Sequence, residues 1–353
     1  MTQHPPRAGG RPLRKPADRQ TAATPSIATV ARLAKVSNAT VSRVMNGHFQ
    51  KVSEETKNRV LAIVKQVDYS PSRAGSALRS GRSQIVALLI PDRNNHYNLA
   101  IAASLERALY ARGKIMVLCN TDENPAMQDE MLREMRSQLA CGIVLLGAVR
   151  SNGLRQAIDT GEPIVLVNRR IRGGGACPFV GVDNLRAAAE IADLFARHHL
   201  SEVTVIHGPL SSSATSARVR GFSRRFLKLD PAHRIDYHPL ENFSKEAGYR
   251  VASKILKGTP RPKAIFCTSD EIAYGLARAC WEEGVRPGVD VMVSAFDGSP
   301  LNEFLTPWLN TVRVDYEAYG PAIVELLMPY WDESLAPGSL ERLIPYRPGW
   351  VET

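Results

Sequence analysis

Cysteine is sparse: five residues in 353 (Cys119, Cys141, Cys177, Cys267, Cys280), an odd number, scattered, with no CxxC pair. That pattern excludes a disulfide framework, argues against a zinc site, and fits a reducing cytoplasm. Long apolar runs are missing as well. None approaches the roughly 20 residues of a membrane helix, and the first 25 residues lack the apolar stretch of a secretory signal. Catalytic signatures are equally absent. There is no G-x-G-x-x-G, no G-x-x-x-x-G-K-S/T and no G-x-S-x-G. Gly173-Gly174-Gly175 leads to Cys177-Pro178 rather than into a helix, and reads as a loop tip. His198 and His199 are adjacent, so in a helix they point about 100° apart. The reading is a binding protein, not an enzyme, with no cofactor and no metal. At 44% hydrophobic and 23% charged residues, the chain is an ordinary globular one, long enough for more than one core.

What is present is an uneven charge. Residues 1–83 hold 15 Lys and Arg against 4 Asp and Glu, a net of +11; the other 270 hold 30 against 31. A basic module joined to a near-neutral body suggests a polyanion-binding unit. Residues 1–25, rich in Pro, Arg and Gly and without periodicity, are expected to be a disordered basic tail. From Ser26 the text is patterned. Ile27, Val30, Ala31 and Ala34 fall at helical spacing, and Lys35-Val36-Ser37 makes a short turn. A second helix runs from Asn38 to about Met45, with Ser37 as its cap, and a third opens at Ser53. Two short helices about a tight turn, with a third behind them, make a helix-turn-helix.

Beyond Ser83, strand-length apolar runs (85–90, 115–118, 143–146, 164–167, 203–206, 264–267, 291–296) alternate with amphipathic stretches (99–112, 127–139, 187–195, 245–256, 271–283). Alternation of this kind implies parallel sheets covered by helices on both faces. About 270 residues exceed one comfortable core, so two similar lobes are expected, with ligands binding beyond the carboxyl ends of the strands.

The most specific string is Ala31 to Asn46. Arg43 suits a guanine edge and Asn38 an adenine, while Thr40, Ser42 and Asn46 suit phosphates. The bland alternative, a merely solvated helix face, sits poorly with the surrounding basic charge. The string VSNATVSRVMN, its continuation VSEETKNRV, Tyr69-Ser70-Pro71-Ser72-Arg73 and Leu78 resemble the lactose-repressor (LacI/GalR) family of bacterial transcription regulators. The likeness continues through Pro91-Asp92, Cys119-Asn120-Thr121-Asp122, Val182-Asp183-Asn184, Gly208-Pro209, Arg218-Val-Arg-Gly221-Phe222, Ser269-Asp270-Glu271 and Phe296-Asp297.

The resemblance implies a small all-α helix-turn-helix headpiece (26–71), a hinge helix or linker (72–82), and a periplasmic-binding-protein-like α/β core of two Rossmann-like lobes (83–353). It implies DNA contacts from Ser37, Asn38, Ala39, Thr40, Ser42, Arg43 and Asn46, and from the hinge at Gly75 and Leu78. Leu78 would wedge between base pairs once the short hinge turns helical on DNA. Three positions depart from the family: Lys35 and Gly75 replace the usual turn Gly and hinge Ala, and Asn168 the common Asp. At strand ends, Tyr97, Asn98, Asn168, Arg218, Phe243, Ser269 and Asp297 are the candidate effector residues. They offer the planar donors, carboxylate and ring faces that a polyhydroxylated ligand needs. Arg93, Arg150, Arg169 and Arg170, close to strand ends, tilt the expectation from a sugar toward a sugar acid or phosphate. The expected partners are a pseudo-palindromic double-stranded operator, a small-molecule effector and a second copy of the chain, since no C-terminal leucine heptad follows. The competing readings are an effector-independent regulator and a free-standing sugar-binding protein.

Overall fold

The computed structural model describes residues 25–70, 83–171, 177–332 and 340–351. The hinge positions Gly75 and Leu78, and the tail before Pro25, lie outside them. The chain divides into two compact units, with the division between Ser76 and Ala77.

The first unit holds α1 (Ile27–Ala34), α2 (Asn38–Met45) and α3 (Glu54–Gln66). Each begins at a serine whose hydroxyl accepts an amide in the first turn: Ser26 from Thr29, Ser37 from Thr40, Ser53 from Thr56. Their inner faces meet in a small core of Val30, Ala31, Ala34, Val41, Val44 and Val60. Lys35 takes up the left-handed conformation (φ 55°) that ends α1 and turns the chain into α2. Arg59 of α3 donates to the Ala34 carbonyl, satisfying one orphan acceptor of that helix end.

The second unit contains two six-stranded sheets. The first joins β1 (Ile85–Ile90), β2 (Ile115–Asn120), β3 (Gly142–Leu146), β4 (Ile164–Val167), β5 (Phe179–Gly181) and β11 (Glu341–Leu343), in the order β2-β1-β3-β4-β5-β11. The second joins β6 (Glu202–His207), β7 (Arg234–Pro239), β8 (Ala264–Cys267), β9 (Met292–Asp297), β10 (Asn310–Val314) and β12 (Tyr346–Gly349), in the order β7-β6-β8-β9-β10-β12. Both are doubly wound, and every pairing is parallel except β12, which runs antiparallel to β10. The helices α4 (His96–Tyr110), α5 (Pro125–Ser137) and α6 (Asn152–Asp159) follow strands of the first sheet. In the second lobe α7 (Asn184–Arg197), α8 (Ser213–Leu229), α9 (Lys245–Lys257) and α10 (Asp270–Glu282) do the same. After α11 (Asn302–Leu305) and β10 the chain returns to pack α12 (Tyr319–Trp331) on the first lobe, and β11 and β12 then add one strand to each sheet. Three crossovers therefore tie the lobes together.

The expected apolar runs are all strands, displaced by at most two residues at an end. The strands missed are short or exposed, and the helices α6, α8, α11 and α12 also lie outside the expected stretches. β7 is a largely exposed edge strand, and β5, β10, β11 and β12 are three to five residues long. Their hydrogen bonds come from distant segments, which local periodicity does not register.

Candidate functional site

On α2 of the first unit, Asn38, Ala39, Arg43 and Asn46 are exposed, whereas Val41 and Val44 are buried on the opposite face. Positions 39, 43 and 46 share one stripe of a 3.6-residue helix. The Ser37 hydroxyl is committed to the helix start, 3.1 Å from the Thr40 amide and 3.0 Å from the Thr40 hydroxyl. Asn46 donates to Ser42 at 3.3 Å, so these two hydroxyl and amide groups hold each other in position. Arg43 makes no ion pair among the described residues, and its guanidinium is free to meet an acceptor.

The second unit holds a cavity of about 320 Å³ between the lobes, and all seven candidate effector residues line it. Its wall comes from beyond the carboxyl ends of strands in both sheets: the turns and first helical turns after β1 (Asp92, Tyr97, Asn98), β2 (Asp122, Glu123), β3 (Gly147) and β4 (Asn168, Arg169) face the segments after β6 (Ser212, and Arg218 within α8), β7 (Asn242, Phe243) and β8 (Thr268, Ser269), with Asp297 closing β9. The strand order reverses at the β1/β3 boundary and again at β6/β8, so two switch-point crevices face each other.

Arg218 is the centre of the second lobe's contribution. Gly221, one turn along α8, is what lets α7 approach: a Cβ there would lie 2.2 Å from the Leu185 carbonyl oxygen. The close crossing brings Asn184 within 2.7 Å of Arg218 Nε, while Nη1 donates to the Thr268 carbonyl at 2.7 Å. Nη2 lies 3.2 Å from Asp297 Oδ1, and the guanidinium stacks on Phe296 at 3.6 Å. Phe243 packs closely on Gly208, where any Cβ would fall 2.2 Å from a ring carbon. Its face carries the Arg169 guanidinium at 4.7 Å, and Arg169 is paired with Glu123 at 2.6 Å. Asn98 donates to the Asp92 carbonyl at 2.7 Å, Ser269 caps α10, and the Tyr97 hydroxyl meets that of Tyr319 at 2.9 Å.

Burial sets the electrostatics. The Asp297 carboxyl is pushed up to about 7 by desolvation, and the nearby charge of Asp270 adds to this while Arg218 pulls the other way. Asp270, likewise buried, is pushed up to about 6 although the Ser299 amide, Asn302 and Thr311 all donate to it. Asn168 and Asp297 both have positive φ (65° and 114°); Asn tolerates that region well, and strain of this kind gathers at binding sites.

A profile of bacterial regulatory proteins of the lacI family matches residues 26–72, and one of periplasmic binding protein-like domains matches residues 192–349. The chain thus joins a lacI-family helix-turn-helix domain to a periplasmic-binding-protein-like domain. Catabolite control protein A of Staphylococcus epidermidis is 29% identical over 314 residues, covering 88% of this chain and 93% of that protein. The Staphylococcus xylosus protein of the same name is 28% identical over 312 residues, with the same coverage. Among solved structures, the lac repressor dimer bound to operator and an anti-inducer superposes with a TM-score of 0.80, at 20% identity over 92% of this chain and 97% of that one. A CelR–cellobiose complex gives 0.66 at 24% identity, over 92% and 98%. With its lacI-type headpiece, this chain is a DNA-binding transcriptional regulator with an effector-binding, periplasmic-binding-protein-like domain, and the matched family is one of regulators rather than enzymes.

Several lining residues of the cavity were not named as effector candidates from the sequence, although Asp92 and Asp122 stand in matched motifs: Asp92, Asn95, Asp122, Glu123, Ser212, Asn242 and Thr268. Most follow a strand end by one to five residues, so the carboxyl-end rule applied to every strand would have found them. Among the described residues no group of three His, Cys, Asp or Glu is placed to hold a metal ion, and no helix is long and apolar enough to cross a membrane.

Proposed function

We propose that this regulator is a repressor. It acts as a homodimer on a pseudo-palindromic operator, in the cytoplasm at the nucleoid, and a polyhydroxylated small molecule held between the lobes controls its operator affinity. The observation that carries the reading is the convergence of seven candidate residues, chosen from 97 to 297, on one cavity at two facing switch points. The relatives support it. One neighbour is described as a repressor dimer bound to operator, and others as complexes with cellobiose and with ribose. In this reading α2 enters the major groove. Arg43 and Asn38 read bases, Ser37, Ala39, Thr40, Ser42 and Asn46 line the DNA face, and Gly75 and Leu78 of the hinge meet the minor groove. The effector residues are Tyr97, Asn98, Asn168, Arg218, Phe243, Ser269 and Asp297. Dimerisation is supported by exposed apolar side chains on adjoining elements: Trp281 of α10 and Phe304 and Leu305 of α11, the two elements joined by a Tyr274–Asn302 hydrogen bond of 2.7 Å.

The test selects an operator from random duplexes and compares the parent with Arg43→Ala. The variant is expected to lose about 1–3 kcal/mol and to relax specificity at one position of each half-site, while both proteins bind more weakly as salt rises. Equal binding by parent and variant would remove Arg43 from the reading face.

A further inference from the structure

The two arginines of the interlobe cavity already have anionic partners. Arg169 is held by Glu123 at 2.6 Å, and Arg218 by Asp297 at 3.2 Å. Two further carboxylates of the lining, Asp92 and Asp122, form no ion pair among the described residues. Asp92 accepts the Asn94 amide at 2.8 Å, and Asp122 accepts the side-chain amide of Asn120. Lys245 interacts with Asp92 at a distance, but its ammonium donates to Glu271 at 2.8 Å, and that pair adds no net charge. Arg93, Arg150 and Arg170 do not line the cavity, and Arg170 pairs with Glu341 and stacks on Phe179. The expected tilt toward an anionic sugar therefore reverses.

We propose that the effector is a polyhydroxylated molecule without negative charge, either neutral or bearing an amine. This rests on the reading of the cavity as the effector site. An anion entering here would be desolvated with no unpaired cation among the described lining residues to receive it, and with Asp92 and Asp122, neither held in an ion pair there, facing it. To capture Arg218 it would have to displace Asp297, leaving a buried carboxylate without its partner. Hydroxyl or ammonium hydrogens, by contrast, can donate to Asp92, Asp122 and Asp297, and the amides of Asn168 and Asn242 can serve the ligand's oxygens.

The experiment uses the full chain and calorimetric titration with matched sets of hexoses, pentoses and disaccharides. Each is presented as the neutral sugar, the amino sugar, the sugar acid and the sugar phosphate. Binders are expected among the neutral and amino forms, at least tenfold tighter than the corresponding acid or phosphate. Asp122→Asn should narrow that ratio several-fold; a merely structural Asp122 would shift all four affinities alike. An acid or phosphate that binds more tightly than its neutral counterpart overturns the inference and leaves the cavity reading standing. Binding that is unchanged in both Phe243→Ala and Asp297→Asn, or no binding by any member, overturns the cavity reading and the inference with it.

Discussion

Arg218 is a truss as well as a candidate ligand contact, because its guanidinium holds Asn184, the Thr268 carbonyl and Asp297 at once. Truncating it would loosen the second lobe and leave buried acceptors unpaired, so lost effector binding in such a variant would not assign a role. Asp297 is the cleaner probe. Its carboxyl titrates near 7 in the folded chain, against about 3.9 when unfolded. A raised acid binds its proton more tightly in the native state. Its contribution to stability is therefore complete below the unfolded value, and it is lost as pH climbs from about 4 through 7. Asp297→Asn should remove that part of the pH dependence, on the order of a few kcal/mol, while Asp270 keeps its own share. Denaturant titrations of the core between pH 4.5 and 8 measure it. A variant as pH-sensitive as the parent would show that Asp297 is ionised throughout.

Two elements depend on one backbone position each. The α7–α8 crossing closes on Gly221, and a methyl group there has only the Leu185 backbone to push against. Gly221→Ala is expected to cost about 1–3 kcal/mol. It should also weaken effector binding, because the separated helices carry Asn184 away from Arg218; a thermal melt paired with titration reads both effects. In the headpiece, Lys35 ends α1 with φ at 55°, a conformation that costs a side-chain-bearing residue on the order of 1 kcal/mol. Lys35→Gly should raise headpiece stability by about that amount. It should also weaken non-specific DNA binding slightly through the lost charge. A melt of the headpiece transition that moves downward would show that Lys35 is not strained there.

On the scale of the whole molecule, the second unit leaves Phe304 81% exposed, Trp281 72% and Leu305 64%, on neighbouring elements of one lobe. Side chains of this size in water are an interface in waiting. Phe304→Glu is expected to weaken dimerisation by at least tenfold, at least about 1.4 kcal/mol, since it sets a charge in a desolvated apolar contact. Sedimentation equilibrium across a range of concentrations reads the change. The same variant should lose operator affinity only as its dimers dissociate, so high protein concentration should restore binding. A variant that stays dimeric would move the interface elsewhere.

The α2 face and its serine cap were legible from sixteen residues of sequence, because helix capping and 3.6-residue periodicity are local. So were the seven long apolar runs, each of which is a strand, since a buried parallel strand writes its own continuous signature. Most of the candidate ligand residues could be listed for a related reason: they follow the ends of those strands, while Phe243 and Arg218 came from the family resemblance. The charge of the cavity was not legible. Counting arginines near strand ends pointed to an anion, whereas the fold turns Arg170 to Glu341 and pairs Arg169 with a carboxylate 46 positions away. The short closing strands β10, β11 and β12 escaped for the same cause, as their partners are supplied by other parts of the chain. Local free energies can be read along the sequence. Which charges cancel is settled only where the chain meets itself, since a Coulomb interaction depends on distance through space and not on distance along the chain.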